Sequence, residues 1–386
     1  MRNTYIPAYI RDKNRGLVLD LFLQNRELTR SEISRVTNIS FPTVVKITDF
    51  FLEKGILAES DISLAAESGL GRKGQLLRLV PDAFSTVGIF FEGDYLNIGL
   101  FNLTNELMDS ISYPFRGEPR NASDYEQISL NMTGAVSGFA ASHPDTVILG
   151  IGIGLPCIVD SDTFMLYRQT NREGTSFYDL FTSFRGLSCP ILLENDMNAA
   201  AYGEMILRRN PDDNTLLYMS LGTGLGAGLI IDSAIWHGMR NFAGEVGRTF
   251  VRIPEGAAGQ DPEPFRLENQ VNLNAIQERF GVDIRLGVPC SEETRTAISS
   301  YICSLLAPFI YNLAYTLDIS RYVMAGAVVD YLGDSFFREM RKQLDNIGRM
   351  DLLQPENIIM PSISTSAGIA GAAALALENA LPGLLS

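Results

Sequence analysis

The stretch LLENDMNAAAYGE, residues 192–204, runs a short apolar segment into a carboxylate and then straight into an alanine-rich helix. An acid fixed at such a junction is placed to pull a proton from a bound hydroxyl, or to accept a hydrogen bond from it without reaction. The acid in question, Asp196, also suits the N-cap of the helix that follows, and the two roles are compatible. Metal chemistry of the close-paired zinc type is excluded by ligand count. The chain has two histidines, and its cysteines, Cys157, Cys189, Cys290 and Cys303, form no CxxC pair. They are expected to be reduced thiols, mostly buried.

The elements that must hold Asp196 are strands alternating with helices from Thr86 onward. The segment TVGIFFEGDYLNIGLFNLTNELMDSISYPF predicts three antiparallel strands joined by tight turns. TVILGIGIGLP and PILLE predict buried strands, TLLYMSLGTGLGAGLII a glycine-broken hairpin, and RYVMAGAVV a strand running into a helix. Two α/β lobes with a cleft between them accommodate this series. A length of 386 residues calls for two or three domains. The longest nearly apolar run, AGIAGAAALAL, is shorter than the ~18 to 20 residues of a membrane span. The N-terminal MRNTYIPAYIRDKNRG has no apolar core of signal-peptide type. No membrane span and a cytoplasmic location are expected.

Charge divides the chain unevenly. Residues 1–80 hold 12 Lys or Arg against 9 Asp or Glu, whereas the overall net charge is -14. The stretch LTRSEISRVTNISFPTVVKITDFFLEKGILAE carries the start signals of two helices. Thr29 with Glu32 three residues on is a capping box, and Ile33, Val36 and Ile39 give an apolar face. Ser40 is the second N-cap, followed by Pro42 in the first turn and by Val44, Ile47 and Phe51 at helical spacing. Lys54 and Gly55 end the helix. With an earlier helix through GLVLDLFLQN these make a helix-turn-helix. GILAE and QLLRLV then predict two strands around the basic tip SGLGRKG, which completes a winged helix-turn-helix. Arg30, Arg35 and Lys46 are candidates for phosphate contacts. Ser40 and Thr43 lie at the exposed start of the recognition helix, and Arg72 and Lys73 sit on the wing, placed for phosphate or minor-groove contact. The plainer alternative is a three-helix protein-interaction module with solvated charges.

Downstream, the chain resembles the ROK family of sugar kinases and sugar-responsive repressors, within the sugar kinase, Hsp70 and actin (ribonuclease H-like) fold. The residues that carry the resemblance are GIGIGLP at 150–156, QTNREG around Asn171, LLENDMNAAAYGE, SLGTGLGAGL, AGEVGR at 243–248, LEN at 267–269 and the glycines Gly326, Gly368 and Gly371. The N-terminal winged helix matches the repressor branch. The resemblance implies a sugar pocket built from Asn171, Asn195, Asp196, Glu245 and Glu268, whose amides and carboxylates meet the donors and acceptors of a hydroxylated ring.

Two departures from the family pattern bear on function. Where the kinases carry Asp-x-Gly-Gly-Thr, this chain has FFEGD at 90–94: Phe90 replaces the metal-associated Asp, Glu92 a glycine, and Asp94 the threonine. Each added carboxylate repels a triphosphate by roughly 4 kcal/mol per close charge pair at an effective dielectric of about 20. Phosphoryl transfer depends on positioning and charge neutralisation, so loss of this turn removes most of it. The second glycine turn, SLGTGLGAG with Thr223, is intact, either as a phosphate loop or as a tight hairpin. The other departure is at the family's GEIGH and zinc-binding cysteine cluster. Here the His is Arg248, and RIPEGAAGQDPEPFRLEN contains no cysteine. Arg248 either pairs with Glu245 or Glu268 in place of the metal, or faces the ligand and selects an acidic sugar or sugar phosphate.

The expectation is therefore an α/β chain with residues 1–82 as a winged helix-turn-helix and 83–386 as a ROK domain. Lobe 1 would take about 83–205 with the C-terminal helix 370–386, and lobe 2 about 206–369. Its expected partners are a double-stranded DNA operator, a carbohydrate effector and a second copy of itself, with no cofactor. The rivals are an ATP-dependent sugar kinase with an appended DNA-binding domain, and a DNA-binding dimer with a vestigial cleft.

Overall fold

In the computed structural model, residues 7–25, 27–60, 75–115, 122–167, 174–208, 210, 214–250, 265–319, 321–348, 354–362 and 367–385 are described. The N-terminal unit comprises α1 (Pro7–Gln24), β1 (Glu27–Thr29), α2 (Arg30–Thr37), α3 (Phe41–Glu53), β2 (Leu57–Glu59) and β3 (Leu76–Leu79). Thr29 and Glu32 form the expected capping box, with Glu32 Oε2 accepting from Thr29 N at 2.8 Å. Ser40 occupies the N-cap of α3, but its hydroxyl bonds the Thr43 hydroxyl at 2.8 Å rather than a backbone amide. Ile33, Val44, Ile47 and Phe51 close the core as expected. Val36 does not: it is 56% exposed, because α3 packs over the Ile33 side of a helix that stops at left-handed Asn38. Strands β2 and β3 pair antiparallel on either side of the predicted wing, which with Arg72 and Lys73 lies outside the described residues. The short β1 adds a third strand to β3.

The remainder repeats one sheet topology twice. The first sheet is the antiparallel meander β4 (Phe84–Glu92), β5 (Tyr95–Asn102) and β6 (Leu107–Pro114), extended by β7 (Val147–Leu155) and β11 (Ile191–Asn195) in the order β11-β7-β4-β5-β6. Strand β7 runs parallel to β4, and β11 parallel to β7. The helix α4 (Ala122–Ser142) makes the crossover. The short β8 (Ile158–Asp160), β9 (Met165–Tyr167), β10 (Thr175–Ser176) and α5 (Phe177–Leu180) form a side layer, after which α6 (Asp196–Arg208) leaves the sheet.

The second sheet repeats the order as β14-β13-β12-β15-β16. Its antiparallel part is β12 (Leu216–Leu221), β13 (Leu225–Ile231) and β14 (Ala234–Ile235), and its parallel part β15 (Arg321–Ala325) and β16 (Ile358–Ile359). Helices α7 (Glu268–Val271), α8 (Leu273–Phe280), α9 (Glu292–Leu317), α10 (Ala327–Leu332) and α11 (Asp334–Ile347) surround it, and α12 (Ala367–Leu385) ends the chain. Helices α9 and α12 are long and apolar enough to cross a bilayer by length and composition, but half or more of each apolar window is buried.

Helix α12 packs on β4 and β7 and against α6, and α6 packs in turn on β12 and β13, so the two helices join the sheets. Their contact depends on glycine. A Cβ on Gly203 would stand 1.9 Å from the Ala367 carbonyl oxygen, and one on Gly371 1.8 Å from that of Ala199. The far end of α12 belongs to the N-terminal core, where Leu377, Leu384 and Leu385 pack with Val18, Leu19 and Phe22 of α1 and with Phe51 of α3. Arg15 of α1 donates to the Leu385 carbonyl at 2.5 Å and lies over the Phe50 ring of α3, 3.5 Å from its centroid.

Candidate functional site

The junction that opened the sequence argument lies in a cleft of about 260 Å³, small beside the about 300–1,000 Å³ of drug-sized pockets. Asn195, Asp196, Glu245 and Glu268 all line it, together with the β12–β13 turn at Gly222, Thr223 and Gly224. The sequence thus named four side chains that the fold brings together from the end of β11, the starts of α6 and α7, and the segment before Val246. Asn171 lies outside the described residues.

The N-cap role falls to Asn195 rather than to Asp196. Its Oδ1 accepts from Met197 N at 3.0 Å and Asn198 N at 3.2 Å, and its Nδ2 donates to the Cys157 carbonyl at 3.0 Å. Much of that amide is engaged in shaping the junction. Asp196 lines the cleft, and its carboxylate accepts from Met197 N at 2.8 Å. Burial pushes its carboxyl up to about 7 against the pull of that amide, and the nearby Glu245 adds to the rise. A carboxyl that titrates near neutrality can accept or donate toward a hydroxyl. Asn198 contributes a buried Oδ1 with no hydrogen-bond partner among the described residues, an acceptor at the edge of the same cleft.

Arg248 pairs with Glu245, its Nε 2.9 Å from Glu245 Oε2. The pair fixes Glu245 at the rim, where Gly244 and Gly247 also line the cleft. Sequence reasoning missed two further groups. Glu194, 7% exposed, accepts from Asn195 N at 2.8 Å and from Asn198 Nδ2 at 3.0 Å through Oε1. Its Oε2 meets His237 Nε2 at 2.8 Å. The signal was present, since His237 is one of two histidines and stands eight residues before Glu245, but spacing alone does not pair residues 194 and 237.

Phe90, 4% exposed, packs with Phe101, Ala199, Ala200 and Ile369. Its ring fills the space where a Cβ on Gly368 would come to 2.3 Å and one on Gly154 to 2.8 Å. Glu204, Glu92 and Asp330 add to the upward shift that partial burial causes at the Tyr218 hydroxyl, so carboxylates from three elements share this region.

On the N-terminal unit, Arg30 donates from Nε to Thr48 Oγ1 and from Nη2 to Asp49, both at 2.8 Å. It ties α2 to α3, and its charge is paired with Asp49. Arg35, Ser40 and Lys46 are exposed and Thr43 is half-buried. Phe41, an exposed apolar side chain at the start of α3, was not anticipated.

Known proteins resemble the chain along most of its length. A xylose repressor of Caldicellulosiruptor bescii is 29% identical over 63% of this chain, and the match spans 59% of that protein's own length. A putative xylose repressor of Caldicellulosiruptor sp. strain Rt8B.4 is 27% identical over 87% of this chain and 88% of its own. A glucokinase of Halalkalibacterium halodurans is 24% identical over 74% of this chain and 92% of its own. Among solved structures, a ROK family transcriptional regulator described as a homolog of the E. coli MLC protein superposes with a TM-score of 0.73 at 17% identity, covering 97% of this chain and 98% of that one. The fold is thus that of a winged helix-turn-helix joined to a two-lobed ROK domain. The ROK family model matches residues 86–379, which contain nearly all of the doubled sheet and the four expected cleft residues, and the chain belongs to the ROK family.

Proposed function

We propose that this protein is a DNA-binding transcriptional regulator, a repressor, whose ROK domain binds a carbohydrate effector and releases it unchanged. The observation that carries the reading is Phe90. It is a buried apolar wedge at the position where the family's kinases hold an acidic residue, in a chain with a complete helix-turn-helix at its other end. Without that acid, and with Glu92 and Asp94 in the adjacent turn, Asp196 orients a sugar hydroxyl rather than activating it. Residues 1–82 are the DNA-binding domain and 83–386 the effector domain. The protein acts in the cytoplasm as a homodimer, since paired half-sites are what make operator binding tight.

Helix α12 offers a route between the two functions. It touches Phe90 at one end and the α1–α3 core at the other, so lobe closure around a sugar displaces the paired recognition helices. A swing from 1:99 to 99:1 between operator-competent and released states needs an affinity difference of about 5.5 kcal/mol. The test is operator binding by fluorescence anisotropy with a sugar panel headed by xylose, the sugar named by two relatives, alongside ADP release with magnesium and ATP. Expected is sugar-dependent loss of DNA binding without ADP release. The glucokinase likeness keeps the kinase reading in view, and ADP release at ordinary enzyme rates would establish it. No response to any sugar would leave a vestigial cleft.

A further inference from the structure

Between β14 and Arg248 the chain leaves the second sheet and bends back to the first. Two side chains on this segment reach across: His237 to Glu194 of β11 at 2.8 Å, and Asn241, whose Nδ2 donates to the Val159 carbonyl of β8 at 2.8 Å. Glu194 is nearly buried and uses both oxygens. Oε1 holds the Asn195 amide and the Asn198 side chain, and Oε2 holds His237. A buried carboxylate without its cation is costly, so this contact matters more than a surface pair would. On the loop side, the Ala243 amide donates to the His237 carbonyl at 3.1 Å, and Glu245 follows two residues later.

We infer that His237 is a positioning residue of the ligand cleft. Through Glu194 it fastens the segment carrying Glu245 and Arg248 to the junction carrying Asn195 and Asp196, and the cleft's hold on its ligand depends on that fastening. The inference rests on the carbohydrate-binding reading for its ligand, but the fastening itself is testable in the free protein.

The hydrogen bond to Glu194 holds His237 above its ordinary value of 6.5, outweighing burial. A group raised in this way contributes fully below 6.5 and loses that contribution as pH rises through its folded value. The charged group that faces it is Glu194 on β11, and Arg240, Glu245 and Arg248 follow on its own segment.

Trp236, the only tryptophan in the chain, adjoins His237 and reports on the segment. The experiment compares wild type, His237→Ala and His237→Gln by Trp236 emission across pH and by hydrogen exchange of residues 236–248, both without ligand. Sugar affinity is measured in parallel. His237 is partly exposed, so neither change removes core. Expected is an emission titration in wild type with its midpoint above 6.5 that is absent from both variants. Segment exchange should be at least tenfold faster in His237→Ala and partly restored in His237→Gln, which keeps a donor. Sugar binding should weaken by about tenfold in His237→Ala. Unchanged emission and exchange in His237→Ala would overturn the inference whatever the sugar result. Altered exchange with no sugar bound by wild type would uphold the fastening and defeat the carbohydrate reading.

Discussion

Replacing Asp196 with Asn tests the site and its energetics together. In the fold this carboxyl is pushed from 3.8 up to about 7, mainly by burial. Between those values the unfolded chain ionises while the folded one keeps its proton, so stability falls as pH rises from 3.8 and levels off above about 7. At about 1.36 kcal/mol per pH unit the ceiling is about 4 kcal/mol. Asp196 keeps some solvent contact at the cleft, which reduces the realised cost to about 1–2 kcal/mol. Asn removes the charge and preserves an oxygen for the Met197 amide. The expected outcome is a variant about 1–2 kcal/mol more stable than wild type at pH 8 and equal to it near pH 4, read by urea denaturation at each pH. The same variant should lose sugar response while keeping operator affinity. His237 titrates in both proteins, so the wild-type minus variant difference isolates Asp196. A variant destabilised equally at pH 4 and pH 8 would refute the argument, because it would make Asp196 a structural cap rather than a solvent-starved acid.

Other parts of the fold carry separate expectations. Gly203→Ala places a methyl 1.9 Å from the Ala367 carbonyl oxygen and should cost about 1–3 kcal/mol or more by overpacking, visible as a lower melting temperature with operator release shifted in parallel. Phe90→Asp should not create kinase activity. It should lower the urea midpoint by an amount equivalent to at least about 3 kcal/mol, since it removes a buried ring and inserts an acid into an alanine-lined interface. Arg30→Ala should destabilise the N-terminal unit through loss of the Thr48 and Asp49 ties while leaving the salt dependence of operator binding unchanged. Lys46→Ala should do the reverse, flattening the log–log salt slope by about 0.9.

The sequence disclosed those features whose physics is local. A capping box is three residues long, and Thr29 with Glu32 was legible before any packing was known. The strands of the first sheet were legible from period and turn chemistry, and Asp196 from its place between an apolar strand and an alanine-rich helix. What stayed hidden depends on contacts between distant segments. Val36 fits the apolar spacing of α2, yet only the crossing of α3 decides that it faces out. Arg30 looked free for phosphate because its partners lie 18 and 19 residues away. The repeated sheet order has little sequence echo, since hydrogen-bond register rather than residue identity defines it. The exchange of roles at the cleft has the same origin. Either Asn195 or Asp196 can cap a helix, and the choice follows from Cys157, which sits on another loop and holds the Asn195 amide. That contact engages the Asn195 amide, so a carbonyl remote in sequence sets how much of one of two adjacent lining side chains is left for a ligand.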